Sequence, residues 1–314
     1  MSLSLFLKSY MNCSFNGPLR NETALPDFKN NVMKKSEIDE FVETRFKKIG
    51  KYFHKSVAGF DTESIREFRA EIKKLKVFLH LISMESDDGL AYRITKRMKT
   101  LYGYFGIIRN AEMQLSETKK YVQSSAHNTL ACYINILERE LQYWKKLSLD
   151  FIEAGYSFNN DKQEIMAGLP DKLNKKSIKK FVHYTLYELN MLSGRADDEA
   201  LDSIRKFMED IYYNHEIISP FFDDQQNKIL SKKVIGECLK LFDEFRNKCM
   251  LLVLLQTFVT DELDESEKQL MKTMERECLN EKKDIKHKLI AALDSMNIKA
   301  LRLNSFAIAG VDDE

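Results

Sequence analysis

The sequence predicts an all-α fold of two antiparallel helical bundles with about four helices each, and three observations predict it. Glycine and proline are scarce, 11 and 4 in 314 residues, while Leu, Lys, Glu and Met, which lose little rotamer freedom in a helix, are plentiful. Apolar residues recur at the helical period over long stretches, and nothing reads as a regular series of strands and turns. The breakers divide the helical stretches into two groups of four, parted near residues 155–170.

The first helix is expected over about 36–58, stopping at "AGFD". The second is "SIREFRAEIKKLKVFLHLI", 64–82, with Asp61, Thr62 or Ser64 as its N-cap and "SDDG" closing it. A third runs from about 89 to 122, with a break expected near Gly103 or Gly106, and a fourth from about 126 to 154, stopped by Gly155. "GYSFNNDKQEIMAGLP", 155–170, is expected as a loop and as the boundary between the bundles. Helices resume over about 171–193, 197–218, 227–260 and 265–295, with Pro220 and "DDQQN" separating the second of these from the third. The bundles are thus 33–155 and 170–295. Residues 1–32 lack periodicity and have no cleavable leader pattern, and 296–314 end the chain, so both are expected as tails.

Net charge is only +1, yet residues 34–120 hold 19 Lys/Arg against 13 Asp/Glu and the chain from 121 onward is acidic on balance. That asymmetry points to an anionic partner for the front half. The five cysteines are odd in number and lack CxxC spacing, as expected of reduced thiols in a cytoplasmic protein. The six histidines form no HxxxH pair, and no phosphate-cradling glycine loop or nucleophile elbow is present. No metal, cofactor or catalytic residue is therefore expected.

The charge has a pattern. In the second helix Arg66, Arg69, Lys73, Lys76 and His80 follow one another at +3, +4, +3 and +4, along one face. Lys176, Lys180 and His183 repeat that spacing in the second group, with Lys172 and Lys179 on the same face. In the third helix Tyr92, Lys96, Lys99, Gly103, Gly106 and Asn110 align, which would let a neighbouring helix or a ligand approach closely. The plainer reading of each stripe is a solvated face with salt bridges to acidic neighbours. "DEALDSIRKFMEDIYYNHE", 198–216, could supply those neighbours to the second stripe.

Three segments in order resemble the CHAD family, the conserved histidine α-helical domain. "IREFRAEIKKLK" is similar to its early-helix pattern V-H-x-x-R-V-x-x-[KR]-[KR]-x-R at Ile65, Arg69, Lys73, Lys74 and Lys76. "FGIIRNAEM" is similar to L-G-x-x-R-D-x-D-V at Gly106 and Arg109, and "KKSIKKFVHYTLYE" loosely matches the second-half copy at Lys176, Lys180 and Tyr184. Arg66 stands where the family has its signature histidine, Asn110 and Glu112 where it has two aspartates, and His183 where it has an arginine. The resemblance implies two pseudo-symmetric bundles whose basic helices face a central groove. It also implies non-catalytic binding of inorganic polyphosphate by Arg66, Arg69, Lys73, Lys76, His80, Lys96, Lys99, Arg109, Lys172, Lys176, Lys179, Lys180 and His183.

The physics of a cation row suits that ligand independently. A +3/+4 row places a charge roughly every 5–6 Å, and such multivalent contacts are salt-sensitive. The rival expectation is a protein-interaction module of the same fold that no longer binds polyanions. Carboxylates interrupting the groove would favour it. Nucleic acid is disfavoured, since only Tyr102 and Tyr104 lie near the cations as stacking groups.

Overall fold

The computed structural model of the chain describes residues 33–86, 92–124, 130–257 and 262–300. The expected tail 1–32, and residues 301–314 of the expected tail 296–314, lie outside the described residues. Helices dominate: α1 Lys35–Gly59, α2 Thr62–Ile82, α3 Lys96–Ser124, α4 Ala131–Glu153, α5 Phe158–Gly168, α6 Lys175–Leu192, α7 Asp198–Ile218, α8 Asp224–Ile229, α9 Lys232–Thr257 and α10 Glu265–Met296. The strands are dipeptides, β1 Met33–Lys34 and β2 Lys172–Leu173, paired antiparallel with Met33 opposite Leu173.

Local chemistry explains most boundaries. The Lys34 amide donates to Glu37 Oε2 at 2.7 Å, opening α1. Phe60, in the left-handed region at φ 52°, closes it while keeping its ring in the core. Asp61 caps α2 by accepting from the Ser64 amide at 2.9 Å, and Asp197 does the same for α7 from Ala200.

Five expectations are corrected. The stretch 155–170 is not a loop but carries α5, because apolar residues spaced among "NNDKQE" bury themselves. Phe158 packs edge-on against Phe53 at 4.8 Å, Ile165 is buried, and buried Asp161 accepts from the Thr95 hydroxyl at 2.5 Å. The third helix begins only at Lys96, where Thr95 Oγ1 accepts from the Met98 amide at 3.1 Å, so Tyr92 lies before the helix rather than on its face. It runs unbroken through Gly103 and Gly106. The helix expected over 227–260 is split into α8 and α9, with Asp223 capping α8 through the Gln226 amide. Lys172 sits in β2, outside α6, so it does not extend the second stripe.

The two halves have matching plans. In the first, α1 packs on α2 and α3 on α4; in the second, α6 packs on α7 and α9 on α10. Within each half the middle helices touch, α2 with α3 and α7 with α9. Across the halves α2 meets α7 and α3 meets α9. The paired dipeptide strands join the openings of the two halves. This is the pseudo-symmetric all-α architecture that the sequence predicts, with α5 and α8 added at the connections.

Candidate functional site

The α2 stripe lies where the two halves meet, so its inward members are buried. Arg69 slides between α2 and α3. Its guanidinium donates to the Tyr102 carbonyl and stacks over the Tyr102 ring, with Cζ 3.9 Å from the centroid. A Cβ at Gly106 would stand 2.3 Å from Arg69 Nη1, so that glycine is what admits the side chain. Burial pulls Arg69 below the usual arginine value. Arg109, also buried, donates to Asn110 Oδ1 at 3.4 Å. Burial lowers it first, and repulsion from Arg69 adds to that, while Asp243 works in the opposite sense. It is still a cation at neutral pH.

Lys73 crosses into the second half. Its ammonium pairs with Glu209 of α7, and Glu209 also accepts from Arg205 Nη1 one turn away on the same helix. Arg205 reaches Asp202 as well, at 2.7 Å. Lys73, Glu209 and Arg205 are all at most 5% exposed in their side chains, so this is a buried cation–anion–cation bridge between the halves. Burial pulls Lys73 down against the attraction of Glu209. At Arg205 the burial penalty is outweighed, and Glu209 and Asp202 hold it above its usual value. Burial, reinforced by the neighbouring Glu209 charge, drives the Tyr213 phenol well up, and its ring lies 5.8 Å from the Lys73 ammonium.

Two turns beyond Lys73 on α2, His80 Nδ1 lies 3.0 Å from Asp210 Oδ2, and its ring meets Phe181 of α6 edge-on at 5.4 Å. The Asp210 hydrogen bond raises the His80 pKa; burial raises that of Asp210, against the pull of His80. Arg66, at the start of the stripe, is clamped by Glu63 and Glu67, the latter at 2.9 Å. Glu67 thus bends round to the face that the helical wheel assigns to the cations.

The remaining predicted residues look outward. Lys76, Lys96, Lys99, Lys172, Lys176 and Lys180 are exposed, while Lys179 and His183 are half-buried. The helix laid against α2 across the pseudo-dyad is α7, so α6 is not the counterpart of α2. The expectation of two cationic rows face to face gives way to a cationic row meeting carboxylates.

Glu209, Asp210 and Arg205 went unselected, although a signal for them exists. "SIREF" at 64–68 recurs as "SIRKF" at 203–207. The repeat aligns Arg66 with Arg205 and Ala70 with Glu209, and each arginine takes a carboxylate three residues back, Glu63 or Asp202. Among the described residues no group of three His, Cys, Asp or Glu could hold a metal, and no helix is long and apolar enough to cross a membrane.

The crystal structure of the CHAD domain from the plant Ricinus communis is similar to this fold, with a TM-score of 0.65 over 89% of this chain and 98% of that one, at 12% sequence identity. No family model and no curated protein matches the chain.

Proposed function

We propose, with the CHAD-like fold as premise, that the protein is a non-catalytic divergent relative of the CHAD family. In this reading it binds inorganic polyphosphate or a similar polyanion on an outward face shared by α2 and α6. The supporting observation is what remains exposed once the stripe is folded. Lys73 is neutralised by Glu209 and Arg66 by Glu63 and Glu67, but Lys76 stays in solvent. The contact of His80 with Phe181 sets that part of α2 beside α6, whose Lys176 and Lys180 are also exposed. A flexible chain of phosphates needs a track of mobile point charges rather than a closed pocket, and exposed lysines supply one.

The test is a titration with long-chain polyphosphate at two salt concentrations. Lys76→Glu with Lys180→Glu, both at exposed sites, is expected to weaken binding at least about tenfold and to reduce the log–log salt slope by about two. Unchanged binding overturns the reading. A second reading, docking of a protein partner, is favoured by one observation: Glu209 and Asp210 occupy the junction where a polyanion would otherwise thread. Wild-type protein that retains no polyphosphate at low salt would select it.

A further inference from the structure

Among the described residues five large apolar side chains stand in solvent, and three of them share one face of α6: Tyr184, Tyr187 and Met191, at 40%, 43% and 62% exposure. They continue the line of Lys176 and Lys180 at steps of four, four, three and four residues. The stripe is thus cationic at its amino end and aromatic beyond it. Glu188, half-buried at its edge, is the one acidic side chain in α6.

Inorganic polyphosphate offers nothing to cover these rings. Its repeating unit is charged oxygen throughout, so lysines alone would hold it, and aligned apolar side chains would stay open to water. A polyanion that also carries flat apolar groups would cover both parts of the stripe. The spacing suits one. Each ring has a cation one turn before it, exposed Lys180 before Tyr184 and half-buried His183 before Tyr187. Four residues of helix rise about 6 Å, the scale of the offset between a phosphate and the base it carries. The ring of Tyr184 is also held: Phe207 of α7 meets it edge-on at 6.0 Å, so less of its freedom remains to be lost on stacking. The sequence disfavours nucleic acid because only Tyr102 and Tyr104 lie near the cations, and the fold withdraws both. Tyr102 is buried under the Arg69 guanidinium, and Tyr104 packs against Trp144 at 5.7 Å. The helix α6 supplies rings in their place.

We propose that the polyanion bound by this face is a single-stranded nucleic acid, with phosphates at Lys176 and Lys180 and bases stacked on Tyr184 and Tyr187. Met191 extends the apolar end. That ligand class rests on the reading of α6 as a polyanion surface. Stacking accepts every base, so the face takes unpaired strands without selecting one sequence over another.

The test is a titration of the full chain at low salt with three probes: labelled oligothymidylate, an abasic strand of the same length and charge, and polyphosphate. Oligouridylate alongside tells RNA from DNA. The base-bearing strand is expected to bind at least about tenfold more tightly than the abasic one. Tyr184→Ala with Tyr187→Ala is expected to erase that preference while leaving abasic-strand and polyphosphate affinity within about twofold. Tyr184→Phe with Tyr187→Phe is expected to keep it, because stacking needs the ring and not the hydroxyl. Equal binding of the two strands overturns the nucleic-acid assignment, leaves the polyanion reading standing and returns the aromatic end of the stripe to a protein partner. A preference that survives loss of both rings also overturns it, by placing the bases elsewhere. If base-dependent binding is lost with the rings but polyphosphate is never retained, the assignment holds and inorganic polyphosphate falls as the ligand. If no probe binds, both readings fall.

Discussion

A charge row read from sequence says which residues share a face, but not what that face meets. Lys73 and Lys76 are three residues apart on one stripe, yet the first is sealed against Glu209 and the second is in water. Removing one partner of a buried pair strands the other charge. Glu209→Ala, which takes the bridging carboxylate from Lys73 and leaves Arg205 with Asp202, is therefore expected to cost about 3–5 kcal/mol in denaturant unfolding. Replacing Lys73, Glu209 and Arg205 together by methionine should cost far less, since the desolvation of all three charges vanishes with them. At His80 the sign is set by a raised pKa. The bound proton stabilises the fold fully below about pH 6.5, and that contribution is lost as pH rises through the folded value. With Lys76, Asp210 and Phe181 around it and 40% of its side chain in water, the effect is small, under about 1 kcal/mol. The stability gap between wild type and His80→Gln should be widest near pH 6 and narrow toward pH 9. A gap that is constant with pH would show that the histidine acts by packing alone.

Helices with caps and strong periodicity were legible as elements, and the short connecting ones were not. Asp61, Asp197 and the apolar spacing place α2 and α7 within two residues of their expected ends. In α5 the sequence is mostly polar, and its reason for being helical lies in distant Phe53 and Thr95, which no local window contains. Likewise the partner of α2 depends on the path of the chain: α7, not α6, follows from pseudo-symmetry, and only the "SIREF"/"SIRKF" echo records that in sequence. Glycines separate local from tertiary causes cleanly. Nothing lies within 4 Å of a Cβ at Gly50 in α1, so Gly50→Ala should stabilise by about 0.5–1 kcal/mol through backbone entropy. Gly106→Ala gains the same term, but its methyl would meet the Arg69 guanidinium, which is itself packed on Tyr102. A net loss of about 1–3 kcal/mol is expected. Thermal or urea denaturation of the two variants should move them in opposite directions.

At the scale of the whole molecule the halves are held by α2 on α7, α3 on α9 and the Met33–Leu173 strand pairing. Continuous contact of this kind should make unfolding a single transition. The sole tryptophan, Trp144 in α4, reports only on the first half, whereas far-ultraviolet circular dichroism reports on all the helices. The two signals are expected to coincide for the wild type in urea and to separate for Glu209→Ala, where the joint between the halves is weakened. Coincidence in both proteins would place the cohesion elsewhere. The same bridge has a bearing on synthesis. Lys73 and Glu209 are 136 residues apart. At roughly 5–20 residues per second, Lys73 leaves the ribosome on the order of ten seconds before its counter-ion exists. Through that interval the first half must either keep the ammonium hydrated or lend it to another anion. The nascent chain therefore shows the cell an open cationic helix that the finished protein has put away.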